Sequence, residues 1–135
     1  MRRFEPVLKD FIGSWQVSRE IVHADGSRAR FDGHAVWTVA GDGALYEETG
    51  EMQLPGQPPM RATRCYLWGA DLSVRFEDGR FFHDVPTGGE QAEHWCEPDM
   101  YSVTYDFSEW PVFRTTWQVR GPRKDYRMTS LYCRV

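Results

Sequence analysis

Five charged or titratable residues stand where strand alternation would turn them toward a protein interior: Arg19, Glu48, Arg64, His83 and His94. An unpaired charge inside a protein costs several kcal/mol even after relaxation, so arginine and glutamate are rarely buried without partners. Glu48 can neutralise Arg19 or Arg64 but not both. One guanidinium is then left for a bound carboxylate, phosphate or sulfate, which its planar fork grips through two hydrogen bonds. Arg64 is the expected anchor, with Tyr66 and Trp68 on the same face of its segment and Glu48, Arg19, His83, His94 and Tyr105 around it. Two alternatives stand beside this reading. A shift of one residue would turn Arg61, Thr63, Cys65 and Leu67 inward instead, and water in the cavity would also satisfy an arginine.

The same residues could do other chemistry. Glu48 with His83 or His94, assisted by Arg64 and Tyr105, forms an acid/base set that would serve a small isomerase or hydrolase. His94 and Cys96 lie two apart on one segment and point the same way, with His83 before them and Asp99 after. A zinc site needs three or four such ligands in tetrahedral array. A bland reading competes: each histidine bonds a tyrosine hydroxyl or a backbone carbonyl, and Cys96 is a small buried hydrophobe. The motifs G-x-S-x-G and H-E-x-x-H and a glycine-rich phosphate loop are absent, and no cofactor is implied.

These side chains need a scaffold, and composition bounds it. The chain has 135 residues, 41% hydrophobic, 15% aromatic and 27% charged, with a formal charge of −4. That length supports one domain over residues 1–135. No apolar run approaches the about 20 residues of a membrane-spanning helix. Residues 71–109 carry ten acidic side chains against two arginines, and residues 113–135 six basic ones against Asp125. The basic stretch reads as a solvated rim, since the acidic balance disfavours nucleic acid. Cys65, Cys96 and Cys133 cannot all pair and form no C-x-x-C, so reduced thiols and a cytoplasmic location are expected.

Turn signals such as Ala24-Asp25-Gly26, Gly41-Asp42-Gly43, Asp78-Gly79 and Gly121-Pro122 cut the chain into about ten short segments. Clean period-two alternation marks Phe31/Ala35/Trp37/Val39, Leu72/Val74/Phe76, Tyr101/Val103/Tyr105/Phe107 and Phe113/Thr115/Trp117/Val119. A helical stretch is expected only over 5–12, where Val7, Leu8, Phe11 and Ile12 share a face. With hardly a helix to cover them, eight to ten strands must close on themselves, which predicts an all-β, antiparallel up-and-down barrel. Small inward residues (Gly33, Ala35, Gly50, Ala92) are expected to leave room inside it.

Gly13-Ser14-Trp15, after the short helical stretch and at the head of the first strand, resembles the G-x-W signature of lipocalins and their calycin relatives. The resemblance implies that Gly13 and Trp15 close one end of the barrel, with Arg134 or Arg127 packed across the indole. Some relatives of this fold bind haem, which would make His83 or His94 an axial ligand. The wider set of Arg64-Cys65-Tyr66-Leu67-Trp68, Asp78-Gly79-Arg80-Phe81-Phe82-His83, His94-Trp95-Cys96 and Gly121-Pro122-Arg123-Lys124-Asp125-Tyr126 resembles an uncharacterised bacterial family of single-domain, lipocalin-like proteins. The function expected is a carrier of one small, partly apolar, anionic ligand, with the enzyme or the metal- or haem-binding protein as alternatives.

Overall fold

Ten strands separated by those turns build one antiparallel sheet in the computed structural model, which describes residues 3–135. A four-residue helix, α1 (Leu8–Phe11), precedes β1 (Gly13–His23), β2 (Arg28–Ala40), β3 (Gly43–Gln53), β4 (Met60–Trp68) and β5 (Ser73–Phe76). Then follow β6 (Phe81–Asp84), β7 (Ala92–Cys96), β8 (Asp99–Glu109), β9 (Val112–Arg120) and β10 (Asp125–Arg134). The strand order is β6-β5-β4-β3-β2-β1-β10-β9-β8-β7. The first and last strands are therefore partners, from Trp15 opposite Arg134 to His23 opposite Tyr126.

The barrel is nearly closed rather than fully closed. Its two edges, β6 and β7, touch without a ladder joining them among the described residues. Both are short, and β5 meets β6 through a register shift at Val74/Arg75, which blunts the edges against pairing with other chains. No helix among the described residues is long and apolar enough to cross a membrane.

Alternation assigns the faces well where one side is wet. Val103, Tyr105 and Phe107 of β8 and Phe113, Thr115, Trp117 and Val119 of β9 are all buried. On β4 the inward set is Arg64, Tyr66 and Trp68, so the shifted register does not occur. Alternation fails on β6. Phe81 is exposed, whereas Phe82 and His83 are both buried, because Val74 pairs with His83 and Arg75 with Phe81. Phe82 is the extra residue of this bulge and stacks on Trp117 at 5.0 Å. Leu72 is buried too, but from the turn before β5. Val39, at the end of β2, faces solvent instead of the core.

The helix is shorter than the expected 5–12 stretch. Pro6 and the extended Val7 delay its start, and Gly13 ends it with a φ of 124°, open to glycine and strained for other residues. Gly33 and Gly50 face each other across β2 and β3, where a Cβ on either would lie 2.2–2.3 Å from the opposite backbone. They permit the close approach of two strands; neither lines the cavity.

Candidate functional site

One end of the barrel is filled with aromatic side chains. Phe11 enters it from α1, fully buried, with the rings of Trp37, Trp68, Trp110 and Phe113 centred 5.1–5.6 Å away. Trp15 is fully buried beside it, and its indole N–H donates to the Phe11 carbonyl at 2.8 Å. The Arg134 guanidinium lies 4.1 Å from the Trp15 ring and donates to the carbonyls of Ile12 and Asp10. It thereby ties the last strand to the helix while stacking on the indole, a cation–π contact of about 0.5–2 kcal/mol. A Cβ on Gly13 would come within 3.0 Å of that guanidinium, so the glycine makes room for it.

Beyond this plug lies a cavity of about 240 Å³. Seven of the eight residues expected to bind a ligand line it: Arg19, Glu48, Arg64, Tyr66, Trp68, His83 and Tyr105. His94 does not. The bulge places Phe82 in front of it, and His94 packs on the edge of that ring with centroids 5.6 Å apart.

The floor of the cavity is a closed polar network. Arg19 donates through Nη1 and Nη2 to the two Glu48 oxygens, each at 2.7 Å, and through Nε to Ser130 Oγ at 2.7 Å. The Tyr46 hydroxyl donates to Glu48 Oε1 at 2.5 Å, which leaves its oxygen to accept from the Tyr132 hydroxyl at 2.9 Å. Arg19 and Glu48 are 4% and 2% exposed, so this is a fully desolvated pair. Arg19 reaches Glu48 from β1 across β2, its guanidinium lying 5.0 Å from the Phe31 ring and Glu48 standing opposite the small Ala35. Burial is the largest single influence on the Glu48 carboxyl and would raise it, but the hydrogen bonds from Arg19 and Tyr46 and the charges of Arg19 and Arg64 together outweigh it and hold Glu48 below the usual range. Sequence alternation puts Ser130 and Tyr132 inside without showing this role for them; the Tyr46/Glu48 spacing on β3 is its one local trace.

Arg64 is the other cation, and it is unlike Arg19. It lines the cavity yet is exposed, and among the described residues it makes no ion pair or hydrogen bond. Four strand residues, about 13 Å, separate it from Trp68 at the plugged end, which puts it toward the open end. Its charge adds to the influences that hold the Glu48 carboxyl down, and partly offsets the burial that raises the Tyr126 hydroxyl.

His83 and Tyr105 form a pair in the wall, Nε2 to hydroxyl at 3.0 Å. Burial, reinforced by His94, pushes the His83 imidazole down to about 3, so it is neutral. Burial pushes the Tyr105 hydroxyl well above its ordinary value. Such a histidine gives stability that is complete above the unfolded value of about 6.5 and is lost as the pH falls toward 3, at up to about 1.4 kcal/mol per pH unit. Urea unfolding at pH 6.5 and pH 5 should therefore show His83→Phe losing about 1.6 kcal/mol less than wild type between the two. Equal losses would show that His83 is charged in the folded protein.

No group of three potential metal ligands occurs among the described residues, so His83, His94 and Cys96 do not assemble a zinc-type centre. Glu48, with its oxygens committed to Arg19 and Tyr46, is not free to act as a base.

A meander barrel plugged by a tryptophan–arginine pair over an interior cavity is a lipocalin-like fold. The chain belongs to a family of unknown function (DUF6314), whose model matches residues 11–134. Among solved structures it is similar to the S-type phycobiliprotein lyase CPES from Guillardia theta, with a TM-score of 0.59 and 9% identity. That similarity covers 93% of this chain and 87% of the other, and it is one of fold. No curated protein sequence matches the chain.

Proposed function

We propose that this protein binds a small, partly apolar, anionic molecule in its barrel and acts as a carrier or sensor for it. The observation that carries the reading is the asymmetry of the two arginines. Glu48 is bound by Arg19 through both oxygens, so Arg64 is the cation left at the cavity wall without a protein carboxylate. A carboxylate, phosphate or sulfate on the ligand meets that guanidinium, and the aromatic wall takes the apolar remainder. At about 240 Å³ the cavity lies just below the roughly 300–1,000 Å³ of pockets for drug-sized molecules, so the ligand is one or two rings in size. The resemblance of the barrel to a phycobiliprotein lyase supports an architecture used for more than its own packing. The three free thiols support the cytoplasm as its compartment.

Calorimetric titration with an aryl carboxylate and with its neutral primary amide tests this reading. The carboxylate should bind at least about tenfold tighter, as a charge-assisted hydrogen bond of about 1.5–3 kcal/mol requires, and should weaken with added salt. Equal affinity for acid and amide contradicts it.

A further inference from the structure

The hydrogen-bonding atoms around the cavity have a sign. The obligate acceptor in its wall, the Glu48 carboxylate, already receives Arg19 twice and Tyr46 once. The obligate donors are in surplus. Arg64, exposed to water at the wall, has no protein acceptor, and the indole nitrogen of Trp37, also in the wall, is buried without a partner, both among the described residues.

The His83–Tyr105 pair adds a third donor, and this follows from counting protons rather than from a choice of tautomer. A neutral imidazole carries one N–H and a neutral phenol one O–H, so the pair holds two protons and makes one mutual bond. If Tyr105 donates to Nε2, the proton sits on Nδ1, which is buried without a partner. If Nε2 donates to Tyr105, the hydroxyl proton is free. Either way one donor is unused. His83 is 4% exposed and Tyr105 7%, so bulk water does not satisfy it, and a buried unmade donor is destabilising. The second arrangement is the cheaper one beside an acceptor, because it leaves only an imidazole lone pair unused and sends the tyrosine proton to the newcomer.

From this donor surplus, and resting on the anion-binding reading above, we infer that the ligand is an aromatic carboxylate bearing a second, carbonyl-type oxygen that accepts a hydrogen bond from the His83–Tyr105 pair. The carboxylate meets Arg64, and the carbonyl sits deeper in the cavity, where His83 is level with Trp68 through Val74. The rings between them face aromatic side chains such as Tyr66, Phe76, Phe82 and Trp117, which suit a flat molecule better than a flexible chain.

Matched aryl carboxylates separate this inference from the reading beneath it. Acetyl-substituted benzoate, cinnamate and naphthoate are each compared with the isopropenyl isostere, which keeps the shape and lacks the acceptor oxygen. Tryptophan fluorescence reports binding, since Trp37, Trp68 and Trp117 line the cavity. In the frame that binds best, the ketone should bind about tenfold tighter than its isostere, as one recovered hydrogen bond allows. Tyr105→Phe should bring that ratio close to one. A ratio near one in wild type overturns the inference and leaves the anion carrier standing. A ratio that Tyr105→Phe does not change overturns the assignment to this pair. If no frame binds, the carrier reading falls and this inference with it.

Discussion

Glu48→Gln is expected to lower the unfolding free energy by about 3–5 kcal/mol, the usual cost of removing one partner of a buried ion pair. The size follows from what is left behind. The glutamine keeps the volume of the side chain but not its charge, and Arg19 stays 4% exposed with no other carboxylate bonded to it among the described residues. Arginine cannot escape by deprotonation. Tyr46 and Arg19 would both need acceptors where the carboxylate now serves them. The double variant Arg19→Met with Glu48→Leu should recover most of the loss, because apolar replacement of the whole pair removes its desolvation cost as well. Acid should mimic the single change. Glu48 is held below its ordinary value, so its contribution is complete above about pH 4.5 and lost as the pH falls through the lower folded value. Denaturant unfolding of the three proteins checks this, and a loss below about 1 kcal/mol for Glu48→Gln would mean that the pair is hydrated.

Trp15→Ala is expected to cost a similar about 3–5 kcal/mol, for a different reason. Its indole is fully buried between Phe113 at 5.1 Å, Trp110 at 5.5 Å and Trp37 at 5.9 Å, and these rings are fixed by one another. They cannot collapse into the space of a lost indole. The change also leaves the Phe11 carbonyl without its donor and takes the flat surface from beneath Arg134. Thermal unfolding checks it, with a drop in Tm well above that of any surface variant; a drop of a degree or two would place Trp15 outside the core.

How much of this was legible in the sequence depended on whether one face of a strand is wet. On β8 and β9 polar and apolar residues alternate cleanly, and the inward faces of both follow from spacing alone. Gly13-Ser14-Trp15 likewise points to the plugged end. The bulge on β6 was not legible, because one inserted residue reverses the parity of everything after it. Alternation therefore passes over Phe82 and sets His94 at a cavity from which Phe82 separates it. The choice of partner for Glu48 was illegible too. Its direct cross-strand neighbour is Arg64, yet it pairs with Arg19 two strands away, across the small Ala35 and within a network closed by Ser130, Tyr46 and Tyr132. A single sequence shows both arginines as candidates; only the stagger of the barrel decides which one is free.

Arg64 is thus the residue on which the functional account turns, and Arg64→Met tests it most directly. Methionine keeps much of the stem that covers the wall and removes the charge. Arg64 makes no ion pair among the described residues and is exposed, so stability should change by no more than about 0.5 kcal/mol. Titrated with an aryl carboxylate at low salt, wild type should bind and the variant should bind at least about tenfold more weakly or not at all. Equal affinity in the two proteins, with both fully folded, would contradict the account.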